Sequence, residues 1–233
     1  MIPIQRHPGG RLTPIDVTRE KQAAAQEAAT LVSDGMTVGL GTGSTVAFLL
    51  PALADLHRNI RCIATSPQTE SIARQVGLMV EPFRDVISLD IAIDGADQIA
   101  PDGWLIKGGG AAHTREKLVA ISAQRFIVIA DSTKTVNNLK GPVPVELLAF
   151  GLGSTLHRLG NVTLREGVPH SPDGGIIGDY HGRLDDPQST AAWLSGTPGV
   201  VEHGLFPPEM VTTIIVGHTN GKVEQRIITN NGQ

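Results

Sequence analysis

Short apolar runs alternate with segments of helical periodicity along most of this chain, and this alternation constrains the fold more than any other feature. The runs at residues 37–40, 91–93 and 126–130 have the length and composition of buried strands. Ahead of the first run, Ala24 and Ala28 recur at helical spacing. Strands that alternate with helices pair in parallel, so the sequence predicts an α/β fold with a doubly wound, mainly parallel sheet.

The helical segments have recognisable starts. The first helix is predicted to begin at Asp16 or Thr18, and residues 1–17 are expected to form a loose arm because they are rich in Pro, Gly and polar groups. Ser66 followed by Pro67 is a favoured start for the third helix.

The pattern changes in the second part of the chain. The predicted elements there are a helix at 146–159, a strand at 162–165, a hairpin turn at 172–175, a return strand at 176–180, a helix at 186–194 and a strand from 199. This antiparallel pattern indicates a small α+β domain over residues 142–210. Residues 18–141 and 211–233 then form the main domain, because the strand-like run at 211–216 is expected to rejoin its sheet. The tail from Asn220 is polar.

Composition argues against several classes of function. The net charge is −4 and the basic residues form no tract, which argues against a nucleic-acid-binding surface. No apolar stretch approaches the roughly 18–20 residues that span a membrane, and the N-terminus lacks the apolar core of a signal peptide, so a cytoplasmic protein is expected. Cys62 is the only cysteine, which excludes an intrachain disulfide and a cysteine-based zinc cluster, and its apolar neighbours indicate a buried thiol.

Charged residues follow two apolar runs in the middle of the chain. Asp94 and Asp97 follow the first run, Lys107 and three glycines follow the second, and Glu116 lies on the predicted helix after them. Ligands of an open α/β sheet bind beyond the carboxyl ends of its strands. These four side chains and the bare glycine turn are therefore predicted to form a site for a small molecule.

A second candidate site is the Gly-Thr-Gly-Ser-Thr turn at residues 41–45, between a strand and a helix. Glycines allow a ligand to approach the backbone, and N–H groups at a helix start attract anions. The turn is neither a Walker A motif nor a dinucleotide motif, because no Lys follows its last glycine and Val46 stands where a third glycine is required. The residues alone leave open both phosphate binding and a plain tight turn with Ser44 as the helix cap.

Each charged residue also has a plain structural explanation. Lys107 could be solvated on a flexible loop, Asp94 or Asp97 could cap a helix, and Glu116 could be solvated like most helical Glu residues. A metal site is not indicated, because the histidines lack the i,i+4 spacing of a ligand pair. His113, beside the glycine turn, is expected at the surface or behind the site rather than in catalysis.

Four stretches of the chain, taken together, match one known family. They are Gly-Leu-Gly-Thr-Gly-Ser-Thr at 39–45, Asp-Gly-Ala-Asp at 94–97, Lys-Gly-Gly-Gly-Ala-Ala-His-Thr-Arg-Glu at 107–116 and Ile-Ala-Asp-Ser-Thr-Lys at 129–134. The chain resembles ribose-5-phosphate isomerase of type A over about residues 18–218, with the motifs in the expected order. The resemblance implies a Rossmann-like domain, a small α+β (ferredoxin-like) domain, and a homodimer or tetramer that uses neither cofactor nor metal.

The resemblance also implies an activity and its residues. The family interconverts D-ribose 5-phosphate and D-ribulose 5-phosphate in the non-oxidative pentose phosphate pathway. Glu116 matches its proton-transferring base, and Lys21 falls where a basic residue often lies near the phosphate. The implied substrate-binding positions are Thr42, Gly43, Ser44, Thr45, Asp94, Gly95, Ala96, Asp97, Lys107, Gly108, Gly109, Gly110 and Lys134.

The chemistry of aldose–ketose exchange agrees with these residue types. One base moves a proton between C1 and C2 through an enediolate, and Glu116 can do so if it is shielded from water. Lys107 and glycine N–H groups can stabilise the enediolate oxygens. The substrate sugar is mostly cyclic, and Asp94 is the candidate acid–base group for opening its ring.

Two other kinds of function remain open. Another phosphosugar isomerase or an amino-sugar phosphate deaminase could use a related fold, although the set of Asp94, Asp97, Lys107 and Glu116 favours the pentose enzyme. A sugar-phosphate sensor could also share the fold, but the first 17 residues are too short for a helix-turn-helix. Gln98 stands where the family usually has Glu, and His113 stands where an apolar residue is common, so substrate preference is left open.

Overall fold

A seven-stranded sheet forms the centre of residues 12–228, the part of the chain that the computed structural model describes. The α-helices are α1 (Pro14–Thr30), α2 (Val46–Asp55), α3 (Pro67–Gln75), α4 (His113–Ile121), α5 (Leu152–Leu159) and α6 (Pro187–Ser195). The strands are β1 (Thr37–Leu40), β2 (Arg61–Ala64), β3 (Met79–Val80), β4 (Ile91–Gly95), β5 (Gln98–Ile99), β6 (Leu105–Ile106), β7 (Phe126–Asp131), β8 (Val143–Leu147), β9 (Val162–Leu164), β10 (Ile176–Tyr180), β11 (Val200–His203), β12 (Leu205–Phe206), β13 (Thr213–Gly217) and β14 (Val223–Ile227). None of the helices within residues 12–228 has the length and apolar character needed to cross a lipid bilayer.

The strands of the central sheet lie in the order β14-β13-β7-β4-β1-β2-β3. Neighbouring strands from β13 to β3 are parallel, and β14 is antiparallel to β13. From β1 the chain moves outward through β2 and β3, then returns to β4 on the other side of β1 and moves outward through β7 to β13. This path confirms the doubly wound fold. The strand order reverses between β1 and β4, and the crevice at the carboxyl ends of two such strands is where α/β proteins bind ligands.

Local side chains set the starts of the helices. Thr13 caps α1 through a reciprocal pair of bonds, in which its Oγ1 accepts the Asp16 N–H at 3.2 Å and Asp16 Oδ2 accepts the Thr13 N–H at 3.1 Å. The helix therefore begins at Pro14, ahead of the predicted Asp16 or Thr18, because proline suits the first helical position. Residues 1–11 of the expected arm lie outside the described residues.

Apolar side chains cover both faces of the central sheet. On β4, Ile91 and Ile93 pack in one cluster with Leu49 of α2, whereas Ala92 packs in the opposite cluster with Val119 of α4. A strand that is buried on both faces needs a continuous apolar run, which explains the pattern seen in the sequence.

The chain from β8 to β11 forms a second, antiparallel unit. Its elements follow the order β8-α5-β9-β10-α6-β11, and its strands lie side by side as β11-β8-β10-β9. This βαββαβ arrangement is that of ferredoxin-like folds, as predicted. The helix predicted from Glu146 is wrong at its start: Glu146 lies in β8, and α5 begins only at Leu152. Pairing of β8 with both β10 and β11 overrides the helical propensity of the residues around Glu146.

The last part of the chain returns to the central sheet. The run at 211–216 rejoins it as β13, which pairs with β7 as expected. The polar tail after Asn220 forms β14, which pairs with β13. An edge strand with one exposed face accommodates polar residues, so its sequence lacks the apolar signal of a central strand.

A short three-stranded sheet, in the order β12-β6-β5, sets the position of Lys107 at the end of β6. The Lys107 N–H donates to the Gly204 carbonyl at 2.9 Å. A Cβ on Gly204 would lie 2.1 Å from the Lys107 carbonyl oxygen, so only glycine allows this approach. The backbone of Lys107 is thereby fixed next to the carboxyl end of the central sheet.

Candidate active site

Asp94 ends β4 beside the turn that follows β1, at the reversal of strand order. Its Oδ1 accepts the N–H of Thr42 at 3.1 Å and that of Gly95 at 2.7 Å. A Cβ on Gly41 would lie 1.9 Å from the Asp94 Cγ. Glycine at position 41 is therefore required for the carboxylate to occupy this place.

The Lys107 ammonium lies between two carboxylates. Its Nζ is 2.8 Å from Asp94 Oδ2 and 2.9 Å from Glu116 Oε2, and it donates to the Gly95 carbonyl at 2.6 Å. The Phe206 ring centroid lies 5.4 Å from the same atom. Only 3% of the Lys107 side chain is exposed, so the alternative of a solvated lysine on a flexible loop is wrong.

Glu116 lies in the first turn of α4 with its side chain turned inward. The side chain is 3% exposed, so the surface alternative for this residue is also wrong. Its Oε2 forms an ion pair with Lys107 rather than a well-directed hydrogen bond. A buried carboxylate whose Oε2 has no hydrogen-bond donor besides this ion pair retains the capacity to accept a proton.

Burial and charge shift the proton affinities of this trio. Burial raises the pKa of the Glu116 carboxyl to about 7; the Asp94 charge adds to the rise and Lys107 opposes it. Burial likewise raises the pKa of Asp94, against the opposing effect of Lys107. Burial alone lowers the pKa of Lys107, but the two carboxylates outweigh it and raise that pKa above its ordinary value. The site thus holds a permanent cation beside a carboxyl group that titrates near neutral pH.

The glycine turn, residues 108–110, forms one wall of the site. Gly108 has φ +100°, and a Cβ there would lie 2.8 Å from His113 Nδ1, so position 108 requires glycine. Gly109 donates its N–H to Asp97 Oδ2 at 2.8 Å. Gly109 and Gly110 are exposed, so the turn presents bare backbone to a ligand.

The facing wall begins α2 and carries hydroxyl and ammonium groups. Thr45, not Ser44, is the N-cap residue of α2, so the alternative in which Ser44 caps the helix is wrong. Ser44 Oγ instead accepts a hydrogen bond from Lys21 Nζ at 2.9 Å. The Thr42 N–H is bound to Asp94, and the N–H groups of Ala47 and Phe48 donate to the carbonyls of Gly43 at 3.0 Å and Thr45 at 3.1 Å. Lys134 lies on the same cleft, so this end suits an anion.

The structure brings the predicted residues around one cleft. Its lining consists of Thr42, Gly43, Ser44, Thr45, Gly95, Ala96, Asp97, Lys107, Gly108, Gly109, Gly110, Glu116 and Lys134. Asp94 does not line the cleft; it lies behind Lys107 and acts on the cleft through its ion pair with that lysine. A larger cavity of about 570 Å³ lies against another side of α4, but its lining in the described chain includes no lysine.

Two departures from the family pattern lie next to the site. His113 is fully buried behind the glycine turn rather than at the surface, and burial lowers the pKa of its imidazole to about 4. Gln98 forms two bonds with the backbone of Lys140: its Nε2 donates to the carbonyl at 2.7 Å, and its Oε1 accepts the N–H at 2.8 Å. A Glu carboxylate could accept that N–H but could not donate to the carbonyl.

Sequence reasoning missed two residues of the second unit that hold the site. Arg165 Nη1 donates to the carbonyls of Gly108 at 3.1 Å and Gly109 at 3.2 Å. Glu146 is buried and accepts a hydrogen bond from Thr114 on the first turn of α4. Neither belongs to a motif of the main domain, so only their contacts reveal these roles. Within residues 12–228, no three His, Cys, Asp or Glu side chains are grouped so as to hold a metal ion.

Comparison with known proteins gives consistent matches. The family model for ribose 5-phosphate isomerase A (phosphoriboisomerase A) matches residues 61–221. A ribose-5-phosphate isomerase A of Lacticaseibacillus paracasei is 42% identical over 221 residues, which cover 89% of this chain and 96% of the relative. A ribose-5-phosphate isomerase A of Methanosarcina acetivorans is 43% identical over 226 residues, which cover 90% of this chain and 94% of the relative.

Solved structures agree with these matches. The ribose 5-phosphate isomerase A of Neisseria gonorrhoeae superposes with a TM-score of 0.87 at 30% identity, covering 94% of this chain and all (100%) of that one. A D-ribose-5-phosphate isomerase in complex with phospho-erythronic acid superposes with a TM-score of 0.83 at 34% identity, covering 89% of this chain and 97% of that one.

Proposed function

The chain belongs to the ribose 5-phosphate isomerase A family, and we propose that Glu116 is the base with which it interconverts D-ribose 5-phosphate and D-ribulose 5-phosphate. The observation that carries this assignment is the buried trio, in which Lys107 Nζ lies 2.8 Å from Asp94 Oδ2 and 2.9 Å from Glu116 Oε2. It combines a carboxyl group that titrates near neutral pH with a cation that keeps its charge.

Glu116 carries the proton between the two carbons. In the open-chain aldose it takes the proton from C2, and the electron pair of that bond moves into the C1 carbonyl to give the enediolate. Return of the proton to C1, with transfer of the O2 proton to O1, gives the ketose. A base with a pKa of about 7 is ionised in part at neutral pH and still strong enough for this task.

Lys107 stabilises the charge that develops on the oxygens. Its ammonium borders the cleft and is fixed by Asp94 and the Gly95 carbonyl, so it need not reorganise when the enediolate forms. Asp94, behind Lys107, takes part in ring opening by fixing the ammonium group that stabilises negative charge on the ring oxygen. Asp97 is exposed on the cleft, where its carboxylate can accept a hydroxyl hydrogen bond from the sugar.

The other end of the cleft binds the phosphate. The start of α2 with Ser44 and the ammonium groups of Lys21 and Lys134 give donors and positive charge there. Phosphate binding at this end holds C1 and C2 beside Glu116, so remote binding energy is used to orient the reacting carbons.

The relative that binds phospho-erythronic acid supports this orientation by its chemistry. That ligand carries a phosphate at one end and a carboxylate at the other. A planar, anionic carboxylate resembles the enediolate in shape and charge, so a cleft with a phosphate end and a Lys107 end suits it.

The test is conversion of ribose 5-phosphate in the presence of EDTA, with ammonia release from an amino-sugar phosphate measured in parallel. Wild-type protein is expected to form ribulose 5-phosphate without releasing ammonia. Ammonia release without pentose conversion would favour the deaminase alternative. Binding of ribose 5-phosphate without turnover would favour the sensor.

We further propose that the enzyme is a cytoplasmic homodimer, or a tetramer built from such dimers. A patch of exposed apolar side chains supports a contact between copies: Phe150 is 93% exposed, and Leu118, Leu148 and Val201 border the 570 Å³ cavity. Sedimentation equilibrium gives the mass. Substitution of Phe150 by Ser is expected to weaken association; an unchanged mass would place the contact elsewhere.

A further inference from the structure

The side chain of Arg165, which follows β9 in the second unit, holds the outer side of the glycine turn. Its Nη1 donates to the carbonyls of Gly108 at 3.1 Å and Gly109 at 3.2 Å. Its other two nitrogens bind the Asp179 carboxylate, at 2.8 Å from Nε and 2.7 Å from Nη2. A bidentate pair of this kind fixes the plane of the guanidinium, so the third nitrogen points in a defined direction.

The glycine turn is held from the opposite direction as well. Asp97 Oδ2 accepts the Gly109 N–H at 2.8 Å, and the Ala111 N–H donates to the Gly108 carbonyl at 3.0 Å. Three successive glycines would otherwise sample a wide range of conformations. The bonds from Arg165 and Asp97 together select one of them.

This arrangement sets the direction of one particular donor. In a trans peptide the C=O and N–H groups point to opposite sides. Because the Gly109 carbonyl faces Arg165, the N–H of Gly110 in the same peptide unit faces away from it. Gly110 borders the cleft that contains Lys107 and Glu116.

We infer that the Arg165–Asp179 pair is a positioning device, which orients the glycine turn so that the Gly110 N–H donates to an enediolate oxygen. This inference rests on the proposed function, since the enediolate is the anion concerned. Arg165 does not touch the substrate and acts through the backbone. The second unit therefore contributes to catalysis as well as to the fold.

The pair is partly exposed, with 16% of the Arg165 side chain and 20% of the Asp179 side chain accessible. Because water still reaches the Asp179 carboxylate, removal of its partner costs less folding stability than it would in a fully buried pair. Removal of Arg165 should therefore affect the geometry of the turn far more than the melting temperature. If the pair only stabilised the fold, removal of Arg165 would lower the melting temperature more than it changes the geometry of the turn.

The test compares Arg165→Met and Arg165→Lys with a matched control, Arg183→Met. Arg183 also belongs to the second unit and pairs with an aspartate, Asp185, but that pair is 90% and 71% exposed. For each variant the measurements are kcat, KM, melting temperature, and the inhibition constants of phospho-erythronic acid and of inorganic phosphate.

Arg165→Met is expected to lower kcat and the affinity for phospho-erythronic acid by a similar factor, about 100-fold, as for loss of one oxyanion donor. Inhibition by inorganic phosphate and the melting temperature should change little. Arg165→Lys should recover only part of the loss, because an ammonium cannot bind Asp179 and both carbonyls in the same geometry. Arg183→Met should match the wild type.

Three results would overturn the inference: unchanged kcat in Arg165→Met, a loss of activity matched by a large fall in melting temperature, or equal weakening of phosphate and phospho-erythronic acid. Failure of the proposed function is distinguishable, because it would appear as absent isomerase activity in the wild type and in Arg183→Met. In that case the affinity of Arg165→Met for phospho-erythronic acid still decides whether Arg165 orients the turn.

Discussion

The Oε2 atom of Glu116 lies 2.9 Å from the Nζ atom of Lys107, and both side chains are almost completely buried. Two buried carboxylates beside one lysine leave the site with one unbalanced negative charge when all three groups are ionised. Burial is the main cause of the raised pKa of Glu116, and the Asp94 charge adds to it; together they turn a common side chain into a base that operates near neutral pH.

Removal of the cation should disable the base. Lys107→Met leaves Asp94 and Glu116 without their shared partner, so the pKa of both carboxyls rises further. We expect kcat/KM to fall by about 100- to 1000-fold at neutral pH, as for other lost oxyanion donors. Lys222→Met, at an exposed lysine, is the control and should retain full activity.

The same variant should also change the pH dependence of stability. A carboxyl group whose pKa is raised in the folded state favours folding at acid pH, and this contribution is lost as the pH rises through the folded value. Relative to the wild type, Lys107→Met should therefore lose little stability near pH 4 but roughly 3–5 kcal/mol above pH 7. Urea unfolding at both pH values measures this difference, and an equal loss at both would contradict the electrostatic explanation.

The pH profile of kcat/KM should report the ionisation of Glu116. Because the base must be ionised, activity should decline tenfold per pH unit below about 7. Asp94→Asn removes a charge that raises the Glu116 pKa, so its acid limb should move to lower pH. The substrate phosphate ionises near pH 6 in both proteins and cannot cause a difference between them. If the wild type and Asp94→Asn lose activity at the same acid pH, the ionising group is not Glu116.

The two ends of the cleft should respond differently to substitution. Lys21→Met or Lys134→Met removes a charge at the proposed phosphate end, and KM should rise about 10- to 100-fold, as for loss of one hydrogen bond to a charged group. Inhibition by inorganic phosphate should weaken by the same factor, while kcat changes less. A large fall in kcat with unchanged phosphate affinity would reverse the proposed orientation of the substrate.

Gly41 should be intolerant of even the smallest side chain. In Gly41→Ala the new Cβ must displace the Asp94 carboxylate, 1.9 Å away, and with it Lys107. Displacements of about 1 Å in an active site can lower activity about 100-fold. Gly153→Ala is the matched control, because nothing lies within 4 Å of its added Cβ in α5. That change should preserve activity and slightly stabilise the protein.

The sequence predicted the parts of the site that directly follow buried apolar runs. Asp94 ends a strand of the parallel sheet, where the rule that strand ends carry ligands applies. Lys107 was predicted from the same kind of run, but it follows β6 of the small antiparallel sheet, to which that rule does not refer. The contribution of the second unit was not predictable in the same way. Arg165 contacts Gly108 across 57 positions of sequence, and Glu146 was assigned to a helix because the pairing of β8 cannot be read locally.

Exchange of the C2 proton of ribose 5-phosphate with solvent deuterium tests the central claim most directly. Wild-type protein in D₂O should incorporate deuterium into substrate and product, because the proton held by Glu116 exchanges with solvent during the lifetime of the enediolate. Glu116→Gln, which keeps the shape of the side chain but cannot accept the proton, should lose both exchange and isomerisation, while phospho-erythronic acid still binds. Continued exchange in Glu116→Gln at the wild-type rate would show that another group is the base.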